Sequence, residues 1–196
     1  MCGRYLFLFG NDYEYNAIIR EAARNDPNAA NFVSGQVAPS AYAPVLFAQD
    51  KQIKAKFLTW GYPGFEGKKL IINARRESAA QKQMFRAAID FGRCAIPSSG
   101  FFEWQKNTGK QYLFEMPGQP ILYMAGLYAS FDGTERFVIL TGQANDSVAM
   151  IHNRMPLVLT EQNYKGWVTD PAYSKQALSE PLPMLSCSAY SLSLLE

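Results

Sequence analysis

After residue 93 the sequence breaks into short apolar segments separated by turn residues, and this pattern limits the fold more than any other feature. Segments 94–97, 100–104, 111–116, 121–130 and 136–144 each have strand length, and Asp132-Gly133 between the last two is a strong hairpin signal. Strands spaced this closely pair antiparallel. Upstream, 45–48 and 53–60 read as another hairpin, turning through 49–52. A helix is expected over 12–25, with Ile18, Ile19 and Ala22 on its apolar face and Pro27 stopping it. A loop over 31–44, holding Gly35, Pro39 and Pro44, separates the two. A second helix should run from near Ser78 to about Ile89, with Met84, Phe85 and Ala88 inward. A short helix at 147–151, a strand at 157–159, a helix near 161–167 and a returning strand near 187–191 complete the reading. With no repeat or linker, residues 1–196 are expected to form one α+β domain dominated by antiparallel strands.

Composition supports a folded chain: 48% of the residues are hydrophobic and 14% aromatic. No apolar run reaches transmembrane length. Arg4 is followed only by a short apolar patch before Asn11-Asp12-Tyr13-Glu14, which is not a signal peptide. The expectation is a cytoplasmic monomer without membrane contact, nucleoid-associated in a bacterium. Cys2, Cys94 and Cys187 are far apart and odd in number, so disulfides are not expected in a reducing compartment, and Cys94 and Cys187 are assigned to buried packing. With no C-x-x-C pair and a single histidine, neither a metal site nor a cofactor is expected. Residues 51–110 hold 12 lysines and arginines against 4 acids, while the rest of the chain is net acidic. That is the pattern of an anion-binding face, or of solvated lysines on strand edges.

Four groups carry candidate chemistry. Methionine before a small residue is normally removed, which would make Cys2 the first residue, with a thiol and a free α-amine on adjacent carbons. An α-amine of pKa about 7.7 is roughly one-third neutral at pH 7.4, whereas a lysine is about 0.1% neutral. A neutral amine adds to an aldehyde to give an imine, and the thiol can then close a thiazolidine. Glu103 sits in Gly100-Phe101-Phe102-Glu103-Trp104, where it is either a proton-trading carboxylate on a partly buried face or a solvent-facing residue on an edge strand. His152, at a helix exit, is either catalytic or a satisfied structural residue. Asn73 and Arg75, read as lying directly before a helix, suit a polarised oxygen beside a phosphate. Trp60-Gly61-Tyr62-Pro63-Gly64-Phe65 is an aromatic loop, either a core plug or an exposed wedge.

Taken together these segments resemble the SRAP family, the SOS-response-associated peptidase domain proteins. The resemblance rests on Met1-Cys2-Gly3-Arg4-Tyr5, Trp60-Gly61-Tyr62-Pro63, Asn73-Ala74-Arg75-Arg76-Glu77, Phe85-Arg86, Arg93 to Pro97 with Gly100 to Trp104, Ala125-Gly126-Leu127-Tyr128, Thr141 with Ala144-Asn145, and Ile151-His152-Asn153-Arg154-Met155-Pro156, in that order. It implies a β-rich α+β fold, single-stranded DNA containing abasic sites as partner, and a covalent link to Cys2, first as a Schiff base and then as a thiazolidine, with lyase activity as a possible accompaniment. By the same resemblance Glu103 moves protons at the amine, His152 protonates the sugar ring oxygen and Asn73 hydrogen-bonds near the linkage. Arg4, Arg75 and Arg86 meet phosphates, and the loop carrying Trp60 and Pro63 stacks on bases. Ser98-Ser99 and Thr141-Gly142-Gln143 depart from the family pattern, which bears on substrate preference.

Two other readings use the same residues. One is a thiol peptidase that removes its own Met1, with Cys2 as nucleophile, His152 as base and Glu103 assisting. The other is a non-enzymatic single-strand binder, which leaves Glu103 and His152 without a task.

Overall fold

The computed structural model describes residues 2–8, 13–24, 26–32, 34–65 and 69–190. Strand β1 (Tyr5–Phe7) is followed by helix α1 (Tyr13–Ala23), which buries Tyr15, Ile18 and Ala22 along one stripe. Strands β2 (Gly35–Val37), β3 (Tyr42–Gln49), β4 (Gln52–Trp60), β5 (Tyr62–Pro63), β6 (Leu70–Ile71) and β7 (Asn73–Arg75) come next, then helix α2 (Gln83–Phe91). Strands β8 (Arg93–Ser98), β9 (Gly100–Trp104), β10 (Gln111–Glu115), β11 (Leu122–Phe131) and β12 (Thr134–Gln143) lead to helix α3 (Asp146–Ala149). Strands β13 (Arg154–Pro156) and β14 (Val158–Leu159), helices α4 (Asn163–Thr169) and α5 (Pro171–Ala177), and strand β15 (Ser186–Ala189) finish the chain.

Local turn chemistry sets the hairpins. Asp50 and Lys51 both have positive φ, 51° and 61°, as do Asp132 and Gly133 at 48° and 79°. This is the two-residue turn whose twist matches the flanking strands. Within the larger sheet β12, β4, β3, β8 and β11 pair in succession, and β11 pairs back onto β12, closing a five-strand ring. β8, in the wall of that ring, is buried at all six positions. A second, antiparallel sheet runs β15-β10-β9-β1-β2, joined to the first where β8 passes through Ser99 into β9. Gly100 is required at that crossing, because a Cβ there would stand 2.6 Å from the Phe114 carbonyl oxygen.

The α+β, strand-rich class is as expected, and several local readings are corrected. The 31–44 loop contains β2, and Pro44 lies inside β3 opposite Phe57. The first helix ends at Ala23, before Pro27 as expected, but Pro27 also opens a 3-10 turn, Pro27–Asn31, capped by Asp26. The 78–89 helix divides into a 3-10 turn, Ala79–Gln81, and α2, so Asn73–Arg75 is a strand and not a helix lead-in. Its partner is β12, in parallel, from Ile139↔Asn73 to Thr141↔Arg75. Cys94 is buried as expected, but Cys187 is exposed on the edge strand β15. Asp12 and Asn25, the expected ends of the first helix, and Ser191, the end of the last strand, lie outside the described residues. No helix of the described residues is long and apolar enough to cross a membrane.

Candidate active site

β1 lies inside its sheet, between β9 and β2, and this fixes the position of the residues just before it. Tyr5 pairs with Phe101, and the Phe102 amide donates to the Arg4 carbonyl at 2.9 Å. The antiparallel register, carried two residues further, sets Gly3 opposite Glu103. Cys2 is completely buried. Its carbonyl accepts from the Asn73 side-chain amide at 2.8 Å, which ties the start of the chain to β7. The Asn73 Oδ1 is buried and has no partner among the described residues, so the amide keeps an acceptor in reserve.

Glu103 is 3% exposed, which excludes the solvent-facing alternative. Burial raises its pKa above the ordinary carboxylate value, and the charges of the amino terminus and of His152 act in the opposite direction. Burial, followed by the Glu103 charge, likewise pushes the Cys2 thiol far above its usual range. Cys2, Asn73, Glu103 and His152, four sequence-predicted residues from four separate segments, therefore act on one another in pairs: Asn73 on Cys2, Glu103 on Cys2, His152 on Glu103.

His152 is half-buried in the loop between α3 and β13, where helical backbone gives way to a strand. Its Nδ1 is 3.0 Å from the Arg154 amide nitrogen and 3.1 Å from the Arg154 carbonyl oxygen. One residue thus offers a donor to a neutral ring and an acceptor to a protonated one. Arg154 is itself held by the Thr141 carbonyl at 2.6 Å and by both Glu77 carboxylate oxygens. Neither Arg154 nor Glu77 was singled out from the sequence. The signal was a basic residue two after the lone histidine and an acid four after Asn73.

The residues assigned to phosphate and base contact divide. Arg75 and Arg86 are exposed on β7 and α2. Arg4 is half-buried, donating to Gln36 at 3.1 Å with its guanidinium 6.0 Å from the centre of the Trp104 ring. Trp60 is corrected: it is fully buried and presents no face to a base. It stacks on Phe137 at 6.1 Å, packs on Tyr5 at 5.3 Å and donates its indole N–H to the Ile72 carbonyl at 3.0 Å. Tyr62 is also buried and Pro63 half-buried, so Phe65, 89% exposed, is the outward ring of this loop. Beside it lies a groove of about 910 Å³, lined by Phe65, Ile71, Met84 and Phe131, with Asn73, Arg75 and Lys82 also on its walls.

Known proteins share both sequence and architecture with this chain. A crystal structure of a protein from Bordetella bronchiseptica superposes with a TM-score of 0.76 at 25% identity, covering 97% of this chain and all of that one. One from Bacteroides thetaiotaomicron gives 0.75 at 21% identity over 99% of this chain and 94% of that one, a likeness of fold. The abasic site processing protein YedK of Escherichia coli (strain K12) is 32% identical over 187 residues, 90% of this chain and 83% of that protein. The abasic site processing protein YoqW of Bacillus subtilis (strain 168) is 30% identical over 98% of this chain and 92% of its own length. The family described as SOS response associated peptidase (SRAP) matches residues 1–194, and the chain belongs to it.

Proposed function

We propose that this protein binds single-stranded DNA and captures abasic sites covalently, with Cys2 as the reacting residue once Met1 has been removed. The ring-opened abasic sugar carries an aldehyde at C1′. The neutral α-amine of Cys2 adds to that carbon, water leaves and an imine forms. The sulfur then adds to the imine carbon while the thiol proton passes to nitrogen, closing a thiazolidine. Glu103, with its pKa raised by burial, trades protons at the amine, and His152 protonates the sugar ring oxygen as the ring opens. Asn73 steadies the linkage through the Cys2 carbonyl. Arg4, Arg75 and Arg86 meet the phosphates. The imine intermediate also acidifies the hydrogens at C2′, so elimination of the 3′-phosphate, a lyase activity, competes with capture until the thiazolidine closes. The relatives, abasic site processing proteins, support the substrate.

The observation that carries this reading is the complete burial of Cys2, with its carbonyl held by the Asn73 side-chain amide. A thiol peptidase attacks with a thiolate, which needs a lowered pKa. Burial acts in the other direction here, which disfavours thiolate attack and supports the amine as the first nucleophile. The Asn73 donor also sits on the Cys2 carbonyl, one peptide beyond the Met1-Cys2 bond that self-processing would cut. The test combines processed protein with a single-stranded oligonucleotide carrying one abasic site, followed by a denaturing gel and intact mass. The expected product has the summed mass less one water. Its absence, with Met1 verified as removed, overturns the reading.

A further inference from the structure

We propose that the Arg154 peptide fixes the hydrogen of the neutral His152 ring on Nε2, so that His152 meets the reacting sugar as a donor and is not the base of a thiol peptidase; the chemical role rests on the function proposed above. The arrangement originates in the ladder between β12 and β13. The Ala144 amide donates to the Asn153 carbonyl at 3.1 Å, and Gln143 pairs with Arg154. Antiparallel strands alternate hydrogen-bonded and non-hydrogen-bonded pairs, so Arg154 turns both its N–H and its C=O away from β12. Both meet one atom, His152 Nδ1, the amide nitrogen at 3.0 Å and the carbonyl oxygen at 3.1 Å. In a neutral ring Nδ1 satisfies only one of them. Orphaned N–H groups are rarer inside proteins than under-satisfied carbonyls, and Arg154 is half-buried. The amide therefore takes Nδ1 as its acceptor, and the ring hydrogen goes to Nε2. When the ring is protonated, the carbonyl accepts from Nδ1, and Nε2 still carries a hydrogen. Any proton exchanged with the site passes through Nε2, since Nδ1 is engaged by the loop. A thiol base needs that nitrogen bare, whereas a donor to the sugar ring oxygen needs it protonated. The Arg154 side chain, bound to the Thr141 carbonyl at 2.6 Å and to both Glu77 carboxylate oxygens, holds the peptide against the ring and makes Arg154 a positioning residue.

The chain has a single histidine, so long-range proton–nitrogen correlation spectra of isotope-labelled protein report on this ring alone. In alkaline buffer, where an ordinary imidazole is neutral, Nδ1 should be bare and Nε2 should carry the hydrogen. A hydrogen on Nδ1 overturns the proposal. Arg154→Lys keeps the peptide and the charge but gives up the fork that binds Glu77 and Thr141. It should mix the two neutral forms of the ring and slow capture of an abasic single strand about tenfold. An oligonucleotide that carries its aldehyde on an acyclic linker needs no ring opening, and the same variant should capture it at the wild-type rate. Equal losses on the two aldehydes would make Arg154 a general structural residue and overturn its positioning role. Absence of adduct between the wild-type protein and either DNA refutes capture itself, and the placement of the ring hydrogen is then judged from the spectra.

Discussion

Glu77 and Arg154 meet at two points, Nη1 to Oε1 at 2.8 Å and Nη2 to Oε2 at 2.9 Å, and so tie the turn after β7 to the loop that carries His152. Asn73 and His152 are separated by more than a third of the chain; β7 and β13 both pair with β12, and this bridge adds a side-chain tie between the two segments. Glu77→Gln keeps the shape but loses the charge-assisted pair. It should slow adduct formation about tenfold, through misplacement of His152, and cost only about 0.5–1 kcal/mol because Glu77 is half-exposed. Hydrogen bonds from Arg154 hold the Glu77 carboxyl below its ordinary pKa. The bridge therefore contributes fully above about pH 4.3, and its contribution is lost as the pH falls through the folded value. Thermal melts across that range, wild type against variant, check the sign.

Glu103 behaves in the opposite way. Burial raises its pKa, so the folded protein holds a proton that the unfolded chain has released. Stability should fall as the pH climbs from about 4.3 to the folded value and then level off. Glu103→Gln removes that slope. It should be more stable than wild type at pH 8, with the gap closing in acid, while adduct formation falls about 10²- to 10⁴-fold. A variant that is less stable at pH 8 would count against this account.

Cys2→Ser retains the α-amine and loses the sulfur. It should give an imine that borohydride traps at the expected mass, with no heat-stable thiazolidine. Failure to trap would argue against amine attack.

Arg75→Ala should weaken DNA binding and reduce the slope of log K against log salt by about one, leaving the melting temperature unchanged, since the side chain is exposed. An unaltered slope removes Arg75 from the phosphate contacts.

Trp60→Ala should cost about 3–5 kcal/mol of stability, the cost of a large cavity between Tyr5 and Phe137. A base platform would instead lose DNA affinity and keep its stability. Urea denaturation and anisotropy separate the two.

The features legible in the sequence were local ones. Asp132-Gly133 and the 49–52 turn announce their hairpins because the turn residues themselves supply the positive φ. Helix α5 was equally local and was missed: Asp170 caps it by accepting from the Ala172 and Tyr173 amides, and Pro171 occupies its first turn. β1 and β2 were not legible, because each has three residues and owes its strand form to partners far along the chain. Trp60 illustrates the same limit at the site. A tryptophan among glycines and a proline reads equally as wedge or plug, and packing on Tyr5 and Phe137, both many residues away, decides it. The burial of Glu103, and the bridge that orders His152, likewise depend on pairings that no single segment contains.

The interior position of β1 also governs timing during synthesis. The amino terminus leaves the ribosome first, but Tyr5 pairs with Phe101 and Cys2 is fully covered only after that distant strand has been made. Until then Cys2 is open to a processing enzyme, and afterwards the fold covers it. On the function proposed above, an enzyme that removes the initiator methionine meets its most open substrate in the nascent chain, before β1 is sewn between β2 and β9. A tag fused ahead of Cys2 would do more than mask the amine: it would adjoin a residue that the fold buries completely.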